Sequence, residues 1–450
     1  MRRRLGKAAT ARSRLSKLRD ARRHESSNAG TRTASERDRD RVLYTVALRR
    51  LAGVTQVVAA DLSHPVHNRL THVLEVAQIG RRLAQKLLRE KKGEARAWAV
   101  GGIDPEIVEA ACLAHDLGHP PFGHIAEHEL NELANQKQLA DGFEGNAQSF
   151  RVVTKLAFRR AEHPGLDLSR AALNAILKYP WLRETGPGKY SEKWGAYHTE
   201  RADFEWARET ALSGKVKSAE AELMDFADDI AYSVHDAEDF YQAGRIPLDR
   251  LIKDDEEKER FFENAFARWG EQREVSRKAC QQALDHLLSL YSLGITEPFG
   301  GKREQTSRLR QVSSTLIDRF IRGITLTPGA QRTVAIDPQV ETEIRVLKEM
   351  TWVYVINNPS LASQQHGQRR VIRELFEIFI DAVEGKNPHH LLPLACREHL
   401  ETIRGTETEA QEKVRVVLDL IAGMTELQAI EMYRRLAGIS DISALYDIML

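Results

Sequence analysis

The chain has 450 residues, enough to bury a large core and to hold two or three domains. It is 42% hydrophobic and 29% charged with a net charge of +1, a balance that is typical of a globular protein and excludes a disordered one. A helix that spans a membrane needs about 18 consecutive apolar residues, and no apolar run in the chain approaches that length. The N-terminus also lacks the apolar segment of a secretory signal.

The three cysteines, Cys112, Cys280 and Cys396, lie far apart and form no CxxC pair. Neither a disulfide framework nor a thiolate zinc site is therefore indicated. Together with the lack of a membrane segment, this favours a protein of the reducing cytoplasm.

The N-terminus is strongly basic. Residues 1–24 carry ten Lys and Arg residues and one acid, Asp20, so this segment holds about +9 and the remaining chain about −8 of the net charge. A basic tail on an acidic body could contact nucleic acid or another subunit, and it could equally be a solvated tail. We expect residues 1–40 to form a basic arm that is either partly disordered or docked on the body.

Helical patterning begins after this arm. Apolar residues at helical spacing predict a helix over Asn68–Leu88, and the glycines of Gly93–Gly102 predict a loop. Asp104–Pro105 is a helix N-cap followed by a first-turn proline, and the apolar face after it leads to His115. Glycine and proline residues then interrupt the helix, which resumes over Ile125–Leu139.

The second half of the chain is also predicted to be mainly helical. Residues 219–241 form a strong helical pattern, and residues 251–290 are helical and charge-rich, as expected of a segment that faces solvent. Later elements, in order, are a hairpin of Ile324–Thr327 and Thr333–Ile336 around Pro328-Gly329, a helix from Asp337-Pro338 to about Ile356, and a helix from about Leu361 to Val383. The fold class is therefore all-α with at most a small β-hairpin.

Histidines crowd into one part of the chain. Of the sixteen histidines, seven lie within 65 residues: His64, His67, His72, His115, His119, His124 and His128. Because histidine is neither a strong helix former nor a common core residue, this crowding favours a functional site. The adjacent His115 and Asp116 offer one nitrogen and one oxygen to a divalent cation, although an isolated His-Asp pair is usually incidental.

A polar stripe interrupts the apolar helix predicted around residue 230. Asp228, Tyr232 and Asp236 follow one another at intervals of four residues, so their side chains share one face. Carboxylates on an interior face are costly unless they meet a metal ion or hydrogen-bond partners. The alternative is that Asp228 and the adjacent Asp229 face solvent.

His124 and Glu127 are three residues apart on a helix that is just beginning. At this spacing the carboxylate can orient the imidazole and raise its basicity, as in a general acid–base pair. The alternative is an ordinary surface pair that stabilises the helix by a few tenths of a kcal/mol.

The order of these motifs resembles the HD-domain phosphohydrolases, specifically the dGTPase-like deoxynucleoside triphosphate triphosphohydrolases. The similarity covers nearly the whole chain, and an ordered set of motifs is far more specific than a lone His-Asp pair. The matching segments are Arg37–Arg41, Leu48–Leu51, Thr55–Val57, His67–His72, Glu75–Ala77, His115–His124, Phe143–Gln148, Leu177–Trp181, Ala227–Tyr232 and Gly423–Thr425. The resemblance implies the reaction of a deoxynucleoside triphosphate (dNTP) with water to give a deoxynucleoside and inorganic triphosphate.

The resemblance also implies roles for individual residues. The four metal ligands would be His72, His115, Asp116 and Asp228, and the cation would be Mg or Mn, with Fe, Co, Ni and Zn as alternatives. His124 and Glu127 would form the catalytic pair near the α-phosphate. The substrate contacts would be Arg69, Lys178, His119 and Tyr179 near the phosphates, Tyr232 and Asp236 at the deoxyribose, and Gln56 at the sugar or base.

Three departures from the family pattern are apparent. Leu48 replaces a common aromatic residue, Glu426 stands where an aspartate is common, and Gly186–His198 matches loosely, which leaves base recognition open. The resemblance further implies a homo-oligomer and leaves regulation by a dNTP or by single-stranded DNA open. We expect residues 41–270 to form the metal-dependent catalytic core and residues 271–450 to form a C-terminal helical region that packs on it and contributes to oligomerisation.

Two alternative functions remain open. One is an HD-domain phosphodiesterase or nucleoside monophosphatase, which would share the metal ligands but would not need Tyr232 and Asp236 at a sugar. The other is a nucleic-acid-binding protein that acts through its basic N-terminus, with binding that weakens as salt increases.

Overall fold

The computed structural model describes residues 12–24, 30–56, 67–186, 188–209, 214–269, 276–292, 295, 297–329, 332–356 and 360–439. Over these residues the fold is helical apart from one two-stranded antiparallel sheet, which confirms the predicted fold class. None of the described helices is both long enough and apolar enough to cross a membrane.

The helices of the first half are short, apart from α4. In chain order they are α1 (residues 12–20), α2 (Ala34–Leu43), α3 (Val46–Arg50), α4 (Arg69–Arg89), α5 (Gly93–Ala99), α6 (Pro105–Ala114), α7 (His124–Gln136), α8 (Gly145–Arg151), α9 (Arg170–Ile176), α10 (Lys189–Glu192) and α11 (Arg201–Arg208). Short 3₁₀ turns cover Leu51–Gly53 and His198–Glu200, and a π turn covers Val152–Leu156.

The second half contains the longer helices and the hairpin. In chain order these elements are α12 (Ala219–Gln242), α13 (Leu248–Lys253), α14 (Asp255–Trp269), α15 (Arg277–Ser292), α16 (Arg303–Arg322), β1 (Ile324–Leu326), β2 (Val334–Ile336), α17 (Pro338–Thr351), α18 (Ser360–Val383), α19 (Leu394–Ile403), α20 (Glu409–Ala422) and α21 (Glu426–Leu436). A π turn extends α17 through Trp352–Ile356, and a 3₁₀ turn covers His389–Leu391. In the hairpin, Thr325 pairs with Ala335.

Local capping explains where the central helices begin. The side chains of Asn68, Asp104 and Ser218 accept hydrogen bonds from backbone N–H groups in the first turns of α4, α6 and α12. Such caps satisfy donors that a helix start leaves unpaired, at about 1 kcal/mol each. The predicted helices around residues 68–88, 105–115, 125–139 and 219–241 are therefore confirmed to within a few residues.

The predicted loop over Gly93–Gly102 was wrong for its first seven residues, where α5 forms. Gly93 is the first residue of α5, and Gly101 and Gly102 follow its end, so the glycines mark helix boundaries. Between them, Glu94, Arg96 and three alanines are good helix formers, and this local preference prevails.

The central core is formed where α4, α6 and α12 pack against one another. Gly80 allows α4 and α6 to approach closely, because a Cβ atom there would lie only 2.6 Å from Cys112 Sγ. A second apolar cluster joins α7 to α18, α20 and α21. The predicted division of the chain at residues 40 and 270 stays a prediction.

The described part of the N-terminal arm lies against the body. Arg19 donates to Glu220 Oε1 at 2.6 Å, and Arg22 Nη1 lies 2.7 Å from Asp38 Oδ1, with both carboxylates buried. Arg23 pairs with Asp203. Of the two structural alternatives for this arm, residues 12–24 adopt the docked one, and residues 1–11 lie outside the described residues.

Candidate active site

The proposed metal ligands come from three helices, and three of the ligands, His72, His115 and Asp228, meet at one point, with Asp116 beside His115. His72 lies in the first turn of α4, His115 and Asp116 follow the end of α6, and Asp228 lies in the middle of α12. His72 Nε2 is 3.1 Å and His115 Nε2 is 3.7 Å from Asp228 Oδ1, and Asp116 Oδ1 is 3.4 Å from His115 Nε2. The fold thus brings together side chains up to 156 residues apart in the chain.

The chemistry of this cluster fits a cation. His115 Nδ1 lies 2.6 Å from the Cys112 carbonyl oxygen, which can only accept, so Nδ1 carries a proton. His115 Nε2 is buried and makes no hydrogen bond with any described residue. The nearest donor atoms of His72, His115 and Asp228 all lie within 4.8 Å of one another, a spacing at which they could hold one metal ion.

The carboxylates of the cluster favour a positive charge on the groups beside them. Burial alone would lower the pKa of His115, but Asp116 and Asp228 outweigh it and raise the pKa to about 8. Burial would also raise the pKa of Asp116, yet the neighbouring His115, His119 and Arg69 hold it well below its ordinary value. The carboxylates therefore attract a positive charge, whether a proton or a metal ion.

Asp228 does not face solvent, so that alternative was wrong for it. Only 18% of its side chain is exposed, and Lys178 Nζ donates to Asp228 Oδ2 at 2.8 Å. Burial would raise the pKa of Asp228, but Lys178, His115 and His72 hold it well below its ordinary value. The adjacent Asp229 is 39% exposed and pairs with Lys348.

Arg69 and His119 lie beside Asp116. Arg69 is buried in the first turn of α4 and donates through Nη1 to Asp116 Oδ2 at 2.6 Å. His119 Nδ1 lies 3.1 Å from Asp116 Oδ1. Burial and the Arg69 charge lower the pKa of His119 to about 4, so its ring is neutral near pH 7.

The loop that follows α6 is held tightly against α8. Gly118 N–H donates to Ser149 Oγ at 2.9 Å, and Ser149 Oγ donates to the His115 carbonyl at 2.7 Å. A Cβ atom at Gly118 would lie 2.2 Å from the Ser149 nitrogen, so only glycine fits there. This contact fixes the backbone that carries the His-Asp pair.

Arg50 braces the same loop from the other side. It donates to the carbonyl oxygens of Leu117 at 2.9 Å, His119 at 2.8 Å and Met424 at 3.0 Å. Burial and nearby Arg69 lower its pKa to about 10. Arg50 lies in the matching segment Leu48–Leu51, but the resemblance implied no role for it.

Glu426, one of the three departures from the family pattern, also supports the site. Its carboxylate accepts hydrogen bonds from Thr55 N–H at 2.8 Å, Thr55 Oγ1 at 2.9 Å and Phe122 N–H at 3.1 Å. The longer glutamate side chain at this position therefore ties α21 to the two loops that flank the metal cluster.

The His124–Glu127 pair is not an ordinary surface pair. His124 is 71% exposed, but Glu127 is buried, and its Oε2 lies 2.7 Å from His124 Nδ1. Glu127 Oε1 accepts from Gly145 N–H at 3.1 Å. The ring centroids of His119 and His124 are 5.3 Å apart, so this pair adjoins the metal cluster.

Lys193 completes this arrangement and was missed in the sequence analysis. Its Nζ donates to Glu127 Oε1 at 2.8 Å and lies 3.2 Å from Glu144 Oε1. Burial would raise the pKa of Glu127, but His124 and Lys193 hold it well below its ordinary value. Lys193 lies in the segment that matches the family only loosely, where no pattern singled it out.

The proposed sugar contacts lie on the same face of α12 as Asp228. Burial raises the pKa of Tyr232, and burial together with Asp239 raises the pKa of Asp236 well above its ordinary value. Asp236 Oδ2 and Gln56 Oε1 are buried and have no hydrogen-bond partner among the described residues. Such polar atoms are costly unless a ligand or water contacts them.

The remaining proposed contact, Tyr179, is partly buried beside Lys178, with its ring centroid 5.5 Å from that of Trp181. Two other histidines of the crowded region lie apart from the metal cluster. His67 is bound between Asp239 and Glu75, and His128 is exposed beside Glu132. His64 lies outside the described residues.

Comparison with known proteins shows that two protein-family models match parts of the chain. The model of the HD domain matches residues 69–233, and the model of the phosphohydrolase-associated domain matches residues 334–435. The first match contains the four proposed metal ligands and the His124–Glu127 pair.

Similar full-length relatives carry the name deoxyguanosinetriphosphate triphosphohydrolase-like protein. That of Streptomyces coelicolor is 37% identical over 426 residues, which cover 90% of this chain and 93% of the relative. That of Corynebacterium efficiens is 35% identical over 430 residues, covering 92% and 93%. That of Bifidobacterium longum is 33% identical over 428 residues, covering 90% and 82%.

Proposed function

The chain belongs to the dGTPase-like family of HD-domain hydrolases, and we propose that it is a metal-dependent dNTP triphosphohydrolase. The proposed reaction cleaves the bond between the α-phosphorus and the 5′-oxygen and releases a deoxynucleoside and inorganic triphosphate. The observation that carries this proposal is the position of Asp228, Tyr232 and Asp236. Asp228 belongs to the proposed metal cluster, and the unpaired Oδ2 atom of Asp236 lies on the same face of α12, with Tyr232 between them.

His72, His115, Asp116 and Asp228 would hold the divalent ion. Two imidazoles and two carboxylates suit Mn or Mg as well as Fe, Co, Ni or Zn. When bound, such an ion would polarise the α-phosphoryl group and lower the pKa of an attacking water.

Arg69 and Lys178 would bind phosphate oxygens. Arg69 offers a planar set of N–H donors, and Lys178 offers a compact positive charge. Both are now paired with the carboxylates of the metal cluster, so their positive charges already lie where a triphosphate would arrive. His119 would contact a phosphate oxygen, and Tyr179 would line the same wall.

His124 would transfer the proton at the departing 5′-oxygen. The carboxylate of Glu127 accepts from the Nδ1–H group of His124, which leaves Nε2 on the exposed side of the ring. A proton given from Nε2 to the 5′-oxygen would allow the deoxynucleoside to leave as an alcohol. Because Glu127 is ionised, it would stabilise the imidazolium form that must donate this proton.

Tyr232 and Asp236 would recognise the deoxyribose. The Tyr232 ring would lie under the sugar where a 2′-hydroxyl would clash, and Asp236 would hydrogen bond to the 3′-hydroxyl. The unpaired Asp236 Oδ2 supports a polar ligand at this position. Gln56 Oε1, also unpaired, would contact the sugar or base.

Product analysis tests this proposal directly. The purified protein is incubated with each dNTP and each NTP plus Mg²⁺ or Mn²⁺, and all products are resolved. Release of intact inorganic triphosphate with a deoxynucleoside, from dNTPs and not from NTPs, is the expected result. Release of orthophosphate or pyrophosphate would instead favour the phosphodiesterase or monophosphatase alternative.

Arg19, Arg22 and Arg23 of the basic arm pair with carboxylates of the body and are not presented to a nucleic acid. The nucleic-acid alternative would depend on the other basic residues of the arm, of which Arg12, Arg14 and Lys17 are exposed. Homo-oligomer formation and regulation by a dNTP or by single-stranded DNA remain part of the proposal.

A further inference from the structure

A second lysine meets the acidic face of α12, and nothing in the sequence motifs had singled it out. Lys348, on α17, donates from Nζ to Asp229 Oδ1 at 2.7 Å. The same Nζ lies 5.9 Å from the centroid of the Tyr232 ring. The ammonium group therefore lies beside the helix segment that joins the proposed metal ligand Asp228 to the proposed sugar contact Tyr232.

Lys348 and Lys178 approach α12 in comparable ways from different parts of the chain. Lys178 Nζ contacts Asp225 at 3.0 Å and Asp228 at 2.8 Å, and Lys348 contacts Asp229, the next residue. Asp225, Asp228 and Asp229 lie within about one turn of α12. The two ammonium groups thus meet one acidic patch from two sides.

The exposure of the two lysine pairs differs. The side chains of Lys178 and Asp228 are each 18% exposed, whereas those of Lys348 and Asp229 are each 39% exposed. A half-exposed ion pair contributes little to stability, because water solvates both charges when it opens. Lys348 can therefore exchange its carboxylate for an incoming anion at small cost.

The proposed substrate needs such a cation. A nucleoside triphosphate brings about four negative charges, whereas Arg69 and Lys178 supply only two positive charges, each partly neutralised by a carboxylate of the metal cluster. We propose that Lys348 binds the triphosphate chain of the substrate, with Asp229 holding its ammonium group in place until the substrate arrives. This inference rests on the proposed function, because it assigns a further binding residue to the same site.

The structural alternative is that the Lys348–Asp229 pair merely fastens α17 to α12, two helices that pack against each other. Lys137 provides a matched control for that role. Its Nζ lies 3.4 Å from Glu384 Oε1, the pair joins the ends of α7 and α18, and the two side chains are 39% and 36% exposed. Lys137 belongs to no part of the proposed site.

The test measures binding of inorganic tripolyphosphate by calorimetry, and KM for a dNTP, in wild type and in the Lys348→Met, Lys348→Arg and Lys137→Met variants. Loss of one charge-assisted hydrogen bond should raise both Kd and KM by about ten- to a hundredfold in Lys348→Met. Lys348→Arg should retain most of the affinity because it keeps the charge, and Lys137→Met should match wild type.

An unchanged tripolyphosphate Kd in Lys348→Met would overturn the inference, whatever happens to the melting temperature. Equally weak tripolyphosphate binding by Lys348→Met and Lys137→Met would also overturn the inference, because equal losses would show a nonspecific effect of charge. The proposed function fails separately, if the wild-type protein releases no inorganic triphosphate from any dNTP.

Discussion

Replacing Glu127 by glutamine should disable His124 without removing it. In the wild type, Glu127 Oε1 accepts hydrogen bonds from Gly145 N–H and Lys193 Nζ, both of which can only donate. The amide oxygen of the glutamine must therefore occupy the Oε1 position, which directs the amide NH₂ group at His124 Nδ1. The ring is then forced into the tautomer that carries its proton on Nε2.

The size of the effect follows from this tautomer. An NH₂ group cannot accept from Nδ1–H, so the imidazolium form loses the carboxylate that stabilises it. A correctly oriented acid–base group contributes about 10²- to 10⁴-fold to a rate, so kcat of Glu127→Gln should fall by that amount. The Glu127→Gln/His124→Ala double variant should be no slower than His124→Ala, because both changes remove one unit.

The assay combines steady-state kinetics with ¹⁵N NMR of the histidine side chains, which reports the tautomer directly. Glu132→Gln is the control, because Glu132 lies beside His128 on the same helix in a pair that is 49% and 68% exposed. A Glu127→Gln enzyme with wild-type kcat, or one whose His124 keeps its proton on Nδ1, would refute the reasoning.

The pH dependence of stability gives a second measurement on the same variant. The pKa of Glu127 lies well below its ordinary value, so the ionised carboxylate stabilises the fold above the pKa of an unfolded glutamate. This stabilisation is lost as the pH falls through the depressed pKa. The free energy of unfolding of Glu127→Gln should therefore lack this acidic dependence.

Three further variants test other parts of the site. Asp116→Ala should lose the metal and the activity together, and normal turnover by this variant in metal-free buffer would exclude the ligand assignment. Tyr232→Ala should reduce the preference for dNTPs over NTPs. Competition assays between a dNTP and the NTP with the same base measure this preference as a ratio of rates, and an unchanged ratio would count against the sugar contact. Arg50→Met leaves three carbonyl groups without their donor, so the free energy of unfolding should fall by about 1–3 kcal/mol, and an unchanged denaturation midpoint would contradict this.

Local patterns were enough to predict several helices, among them the long helices α4, α12 and α18, but not α16. Asn68 and Ser218 cap helices whose apolar spacing is visible in the sequence, and α4 and α12 begin at the next residue in each case. Pro328-Gly329 likewise predicted the hairpin between β1 and β2. These signals depend on neighbours within a few residues, which is why they can be recognised without the fold. The error at Gly93–Gly102 arose because glycine ends helices as readily as it forms loops.

The family resemblance supplied the set of candidate site residues, but only the tertiary structure decided what each one contacts. Glu127 meets Lys193 across 66 residues, Asp228 meets Lys178 across 50, and Asp229 meets Lys348 across 119. No periodicity links such partners, because a salt bridge between separate helices depends on how the helices pack. The sequence by itself thus determined where several of the long helices lie and which residues can carry chemistry. Packing of α4, α6 and α12 decided which charges face one another, because burial removes the water that would otherwise screen them.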